Sequence, residues 1–226
     1  MSSSLDHFRL ALQEIRVLQR ADPSPTGSPP RDPDLTRVIG RSCVVLLYSH
    51  FEQYVRSLNE ESATYSNGLN IPSNRLPLAL RLQHSREPID ALAKIQWNNR
   101  GAQLVDVMSE EAALWRPPEI AHVHHERLLS WMKSPNPKAL VRCFRIWGVA
   151  DIFRAITRKD HTRRDLWLRI KGLVDSRNNI AHGDANAEAT AADVRAYETS
   201  IIMFATRVDR VMARALAGIC GTGPPW

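Results

Sequence analysis

The chain has 226 residues, of which 43% are hydrophobic and 24% are charged, a composition typical of a folded globular protein with one large or two small domains. Charges interrupt every apolar run, and the first residues lack a basic stretch followed by a long apolar one, so we expect neither a membrane span nor a secretion signal. The net charge of +6 favours a polyanionic partner, and three widely spaced cysteines argue against a disulfide framework or a zinc ribbon and suit a cytoplasmic protein.

The N-terminal third contains two predicted helices and a proline-rich linker. Residues 4–21 carry an amphipathic stripe, with Ser4 as a candidate N-cap. Five prolines between residues 21 and 34 exclude helix and strand there, so this segment is predicted to be a linker. A long helix is then predicted from Asp34, as its cap, to about residue 65.

The middle section, residues 67–134, is rich in turns and prolines and is predicted to be an insertion of short helices. These helices are expected near 77–84, 87–95, 102–115 and 119–132. Trp97, Trp115 and Trp131 are predicted to be packing anchors. His122, His124 and His125 raise the alternative of a metal site, since 122 and 125 would share a helical face, but no familiar ligand set is completed. We therefore predict no metal and no cofactor.

The C-terminal part contains a basic segment that precedes the helix with the candidate catalytic residues. Helices are predicted over 138–147, 151–157, 162–182 and 190–217, the last with Thr190 and Asp193 as a capping box. Between residues 138 and 171, ten cations stand against three aspartates. This charge suits a phosphate backbone, although a solvated basic surface would have the same composition. The candidate RNA-binding residues are Arg158, Lys159, Arg163, Arg164 and Lys171.

Sustained alternation with a period of two residues is missing from the sequence, which favours an all-α fold. We predict an antiparallel helical bundle with an inserted helical section. The predicted organisation comprises an N-terminal helix and linker (1–33), a helical domain (34–217) that contains the insertion, and a loose tail (218–226).

The helix predicted over 162–182 contains the candidate catalytic residues. Arg177 falls in its apolar stripe, where an arginine is costly unless it meets an anion or a carboxylate. Glu52, on the shoulder of the preceding long helix, is the predicted partner, although it could equally be a surface glutamate. His182 follows five residues later and points about 140° away from Arg177 on an unbroken helix. The two side chains could meet if the arginine wraps round the helix, if the helix ends at His182 and turns the imidazole inward, or if a second subunit brings its own copy across a two-fold axis. Gly183 is a typical helix stop and favours the second of these.

The segment Arg177-Asn178-Asn179-Ile180-Ala181-His182 resembles the Arg-x4–6-His motif of the HEPN superfamily (higher eukaryote and prokaryote nucleotide-binding domains). Residues 43–52, Cys-Val-Val-Leu-Leu-Tyr-Ser-His-Phe-Glu, are similar to the "LYxHFE" helix of its MAE-like and RiboL-PSP-type ribonuclease domains. The resemblance covers roughly residues 34–66 and 136–216. It implies a homodimer in which the motifs of both chains face one cleft, with RNA as the substrate.

Together, the residues and the resemblance predict an endoribonuclease that needs no metal, in which the 2′-hydroxyl of RNA attacks the adjacent phosphorus. His182 is the predicted acid or base, and Arg177 the group that stabilises the phosphorane charge. Asn178 and Glu52 are predicted to support them. The resemblance also implies a role as a toxin or defence effector in a bacterial conflict system, with an antitoxin or defence-system partner.

Two further points concern regulation and the alternative function. Asp184 stands where HEPN toxins silenced by a nucleotidyltransferase commonly have a tyrosine, so AMPylation at that position is not predicted. The alternative function is a non-catalytic HEPN module that binds RNA, nucleotide or a protein. Such modules usually lack the arginine or the histidine, and this chain has both.

Overall fold

The computed structural model describes residues 1–21, 32–184 and 186–226. Most of the linker predicted over 21–34 lies outside these residues. Within the described ranges the chain forms nine α-helices: α1 Ser3–Ala21, α2 Pro33–Gly68, α3 Leu78–Ala93, α4 Gly101–Trp115, α5 His125–Leu129, α6 Pro137–Arg145, α7 Ile152–Ile156, α8 Asp160–Ala181 and α9 Ala191–Cys220.

The all-α prediction is confirmed. Across the described ranges there is no strand, and the single β-type pairing is an isolated antiparallel bridge between Pro72 and Ile120. Short 3-10 turns at Ser73–Arg75 and Trp97–Asn99 connect parts of the middle section. Among the described helices, none has both the length and the apolar character that crossing a bilayer requires.

Helix α2 lies at the centre of the bundle because it is apolar on several sides and is covered by α1, α8 and α9. Phe51 of α2 packs against Phe204 of α9, with 5.8 Å between the ring centroids. Tyr54 is 2% exposed, and its hydroxyl donates to the carbonyl of Ala205 at 2.9 Å. The aromatic stripe of α2 thus satisfies its polar atom while it fills the core.

The helix termini follow capping chemistry, with two corrections to the predicted caps. Asp32, not Asp34, caps α2 and accepts from the N–H of Leu35, because Pro33 takes the first helical position. Ser4 lies inside α1. The hydroxyl of Ser2 caps the helix and accepts from the N–H of Leu5, and the carboxylate of Glu61 accepts the N–H groups of Ser3 and Ser4. The Thr190–Asp193 capping box of α9 is confirmed.

Both ends of the chain join the main core. Leu5, Phe8, Leu12 and Ile15 of α1 are buried in the same cluster as α2 and α9, so α1 packs as part of the bundle. The tail predicted to be loose contains the last turn of α9, and the indole of Trp226 donates to the carbonyl of Asp209 at 3.3 Å. The predicted boundaries at residues 33 and 217 therefore do not separate these ends from the core.

The middle section is helical, as predicted, but its details differ. Helix α3 continues through Pro88, where a break was expected, because proline removes one backbone hydrogen bond while the flanking turns and the contacts with α4 and α5 remain. Trp97 is 79% exposed, with the guanidinium of Arg100 over its ring, so its predicted role as a packing anchor is wrong. His122 lies outside any helix, and the shared face with His125 does not form.

A buried hydrogen-bond network ties this section together around Glu111. The carboxylate of Glu111 accepts from Arg127 at 2.7 Å and lies 3.2 Å from Nδ1 of His84. Nε2 of His84 accepts from the backbone N–H of His124 at 3.1 Å, so His84 is a neutral imidazole with its proton on Nδ1. Burial lowers the pKa of His84, and the Glu111 carboxylate opposes that effect only in part.

We expect this network to make the protein less stable in mild acid. Because the folded-state pKa of His84 is lowered, the unfolded chain binds a proton more readily, so the His84 contribution is complete above about pH 6.5 and is lost as the pH falls through the folded-state pKa. Urea unfolding of wild type and His84→Gln between pH 7.5 and 5 measures this. The loss of unfolding free energy on acidification should be smaller in the variant, and an identical pH slope in both proteins would refute the assignment.

Candidate active site at the end of helix α8

Helix α8 carries the motif, and its apolar face is buried as the sequence predicts. Leu166, Ile170, Leu173 and Val174 lie in the core against α2 and α9. Arg177 continues this face one turn further and is half-buried. The guanidinium of Arg177 therefore lies at the edge of the core, beside the middle of α2.

Arg177 lies on the ring of Tyr48 in α2. Its Cζ atom is 4.7 Å from the ring centroid, and Tyr48 is only 2% exposed. Its Nη1 donates to Oδ1 of Asn178 at 3.2 Å. No carboxylate within the described ranges forms an ion pair with Arg177. The cation is thus held by an aromatic face and an amide, and its charge remains available to an anion.

The predicted ion pair between Glu52 and Arg177 is wrong. Glu52 instead accepts from Nε and Nη2 of Arg56 at 3.0 and 2.8 Å. Arg56 lies one turn along the same helix, which is the preferred spacing for such a pair, and its Nη2 also donates to the carbonyl of Met132 at 2.8 Å. The carboxylate of Glu52 acts on Tyr48, whose pKa it raises, and its predicted supporting role stays a prediction.

Tyr48 is a neutral phenol in this setting. Burial raises its pKa, and the carboxylate of Glu52 acts in the same direction. The hydroxyl of Ser134 and the guanidinium of Arg177 lower it, but the net shift is upward. A neutral ring keeps the electron-rich face on which a guanidinium packs, so the charge state of Tyr48 is suited to holding Arg177 at neutral pH.

His182 is the residue at which α8 stops. The N–H of Gly183 donates to the carbonyl of Ile180 and that of Asp184 to the carbonyl of Asn179, both at 3.1 Å, which is the hydrogen-bond pair of a Schellman motif. Gly183 has φ +78°, a left-handed conformation that glycine adopts without strain. The predicted helix end is correct, but His182 is exposed and its imidazole is not turned into the core.

Asn178 connects the two motif residues. Its side-chain oxygen accepts from Arg177, and its backbone carbonyl accepts from the N–H of His182 at 2.9 Å. The side chain of Asn178 thus contacts the guanidinium of Arg177, and its predicted role in supporting the site stays a prediction. The histidine ring itself makes no hydrogen bond to the described part of the chain, so it is available to a ligand.

The loop that follows His182 is fixed to α2. The guanidinium of Arg41 donates to the carbonyls of Asp184 at 3.1 Å and Ala187 at 3.5 Å. Gly40 lies so close to the loop that a Cβ atom there would be 2.1 Å from the carbonyl oxygen of Ala189. A side chain at position 40 is therefore incompatible with the loop as placed, and this contact helps to set the position of the helix end.

The predicted RNA-binding residues lie away from Arg177. Arg163 and Lys171 pair with Asp160 and Asp175 on their own helix. Arg164 is exposed on α8, and Arg158 and Lys159 are exposed in the turn that precedes it. Arg163 and Arg177 are fourteen residues apart on one helix, about 21 Å along its axis, so the four arginine and lysine residues over 158–164 lie toward the opposite end of α8. Lys171 lies near the middle of the helix, about 9 Å along the axis from Arg177.

Three residues of the site were missed as functional from the sequence: Tyr48, Arg56 and Arg41. Tyr48 belongs to residues 43–52, which carry the family resemblance, but no separate role is predicted for it. The available signal was its position one turn before Glu52 on the helix expected to face the motif. The spacing of Glu52 and Arg56, one helical turn apart, was the available signal for Arg56. Nothing in the local sequence marks Arg41, because its partners are backbone carbonyls distant in the chain.

Comparison with known proteins identifies the family of the chain. The model of the RiboL-PSP-HEPN family matches residues 7–214. The chain therefore belongs to the RiboL-PSP-HEPN family, and HEPN domains are commonly ribonucleases or have nucleotide-related roles. No curated protein and no solved structure gives a significant match to the chain.

A double-mutant cycle tests which residue holds the guanidinium. For Tyr48→Leu and Arg177→Met we expect a coupling of about 0.5–1 kcal/mol in unfolding free energy, since the ring and the cation are in direct contact. The cycle of Glu52→Gln with Arg177→Met is the control and should give a smaller value. Denaturant unfolding measures both, and a larger Glu52–Arg177 coupling would restore the ion pair that the sequence suggested.

Gly40→Ala should destabilise the protein and displace the motif loop, although alanine is the better helix former. The new Cβ would collide with the backbone of Ala189, and we expect a loss of about 1–3 kcal/mol. Gly218→Ala in α9 is the matched control: no atom lies within 4 Å of its Cβ position, so it should stabilise by about 0.5–1 kcal/mol. Equal effects in thermal denaturation would show that the contact at Gly40 is unimportant.

Proposed function

We propose that this protein is a metal-independent endoribonuclease whose catalytic residues are Arg177 and His182. One observation carries the proposal: at the end of α8, a guanidinium with no carboxylate partner in the described structure lies within five residues of an exposed histidine. A cation that binds phosphate and an imidazole that exchanges protons near neutral pH are the groups required for RNA cleavage by its own 2′-hydroxyl.

In the proposed reaction the 2′-oxygen bonds to the adjacent phosphorus, and the bond from phosphorus to the 5′-oxygen breaks. A base takes the proton of the 2′-hydroxyl, and an acid gives a proton to the leaving 5′-oxygen. The products are a 2′,3′-cyclic phosphate and a 5′-hydroxyl. Arg177 stabilises the extra negative charge of the phosphorane, and Tyr48 and Asn178 position its guanidinium for this purpose.

The two proton transfers favour a homodimer. Five residues rotate an α-helix by about 500°, so Arg177 and His182 of one chain point about 140° apart. A second copy related by a two-fold axis would bring another Arg177 and His182 to the same cleft, and one histidine could then act as base and the other as acid.

An apolar surface beside the motif supports this arrangement. Val38 of α2 is 56% exposed, and together with Val45 of α2 and Ile180 of the motif it borders a groove of about 490 Å³. Exposed apolar groups next to a candidate site favour an interface there.

We further propose that the protein acts in the cytoplasm as a toxin or defence effector of a bacterial conflict system and that an antitoxin or defence-system partner restrains it. The support is family membership together with the intact Arg177 and His182. Asp184 at the position two residues after the histidine makes AMPylation there an unsuitable means of control.

The decisive experiment is incubation of purified wild type with single-stranded RNA in EDTA, beside Arg177→Ala and His182→Ala. We expect cyclic-phosphate products from wild type and a loss of at least about a hundredfold in rate in each variant. Lys133→Ala, an exposed cation outside the motif, is the control and should cleave like wild type. RNA binding without cleavage by wild type would favour the non-catalytic HEPN module instead, and activity lost in EDTA and restored by zinc would overturn the metal-independent mechanism.

A further inference from the structure

A cleft of about 400 Å³ lies between α7 and the start of α8, remote from Arg177. Trp167 of α8 lines it, and the indole packs against the buried ring of Phe153, which also lines the cleft, with 5.1 Å between the centroids. An aromatic ring that is held by the core and borders an open cleft can stack with a flat ligand at little cost in conformational entropy.

The cleft is bordered by arginines in different states. Arg163 pairs with Asp160, and Arg154 lies 3.6 Å from Asp151 but keeps 75% of its side chain exposed. Arg164 is exposed and forms no ion pair with any residue that the structure describes. The acidic groups of the cleft are thus engaged by two of its arginines, and the charge of the third is free for a phosphate.

The cleft is connected to the motif along one side of α8. Arg164, Lys171 and Asn178 follow one another at intervals of seven residues, and His182 comes eighteen residues after Arg164. Eighteen residues are about five helical turns, so these residues share a side of the helix over about 27 Å. Lys171 pairs with Asp175 on this side and both are exposed. A ligand that leaves the cleft along this side reaches His182.

We propose that single-stranded RNA lies along this side of α8, with a base stacked on Trp167 and a backbone phosphate on Arg164, so that the chain passes on to His182. The choice of RNA as ligand rests on the proposed function. Trp167 and His182 are about 22 Å apart along the axis, a span of about six stacked nucleotides. A paired base cannot reach the indole, so the cleft selects single strands.

The test measures RNA binding in the His182→Ala background, which prevents cleavage. Fluorescence anisotropy with a labelled 12-nucleotide single strand is the readout. Arg164→Gln should weaken binding about threefold to tenfold at low salt and reduce the slope of log affinity against log salt by about 0.7. Arg169→Gln, which removes the same charge from another side of α8, is the control and should bind within about twofold of the parent.

Trp167→Leu should weaken binding of the single strand about tenfold, whereas Trp167→Phe, which keeps an aromatic ring, should retain most of the affinity. Binding of a duplex of the same sequence should not respond to either change. Circular-dichroism melting of each variant shows whether it is folded. The proposal is overturned if the folded Arg164→Gln and Trp167→Leu proteins both bind the single strand like the Arg169→Gln control.

The two proposals fail in different ways. RNA binding that depends on Trp167 and Arg164, in a protein whose wild type cleaves no RNA, would refute the ribonuclease and retain the cleft as an RNA site. If cleavage depends on Arg177 and His182, and no cleft substitution changes cleavage or RNA binding, the cleft is refuted as an RNA site and the ribonuclease proposal is retained.

Discussion

The candidate site depends on the contact between the guanidinium of Arg177 and the ring of Tyr48. It joins α8 to the central helix α2, and it places a positive charge at the edge of the core without neutralising it. A carboxylate in the place of the ring would have held the arginine as firmly but would have cancelled the charge that a phosphate needs. An aromatic face holds a cation through its quadrupole and leaves the N–H groups at the rim of the guanidinium free to donate.

The residues around this contact make different interactions. Burial keeps Tyr48 neutral, Glu52 and Arg56 pair with each other beside it, and Asn178 takes one N–H group of the guanidinium. At the other end of the motif, Arg41 and the close approach at Gly40 fix the loop, so that the exposed His182 sits on an anchored helix end. A rigid backbone with an exposed imidazole suits a group that must meet a substrate, since precise placement does not have to be achieved during binding.

Helix α8 has two sides with different roles in the proposed binding of RNA. One side of α8 is buried and carries Arg177, whereas another is exposed and runs from the Trp167 cleft to His182. The buried side thus fixes the position of the exposed side relative to α2. The middle section, held by its own network around Glu111, packs against α2 through α5 and does not interrupt this side of α8.

Much of this protein follows from local sequence alone. The 3.6-residue periodicity determined the helices α1, α2, α8 and α9, the Thr190–Asp193 box determined one helix start, and Gly183 determined where the motif helix stops, because each of these depends on residues within a turn or two of one another. The order of Arg177, Asn178 and His182, together with the helix over 43–52, was sufficient to recognise the HEPN family.

The partners of those residues were decided by the tertiary structure. Glu52 and Tyr48 lie one turn apart on the same helix, and both were plausible neighbours of Arg177. Only the packing of α8 on α2 selects the ring, while Arg56 occupies the carboxylate. The exposure of Trp97 and the cleft that α7 forms beside Trp167 were likewise decided by tertiary packing. Periodicity shows which side of a helix is apolar, but contacts between residues distant in the chain determine what that side meets.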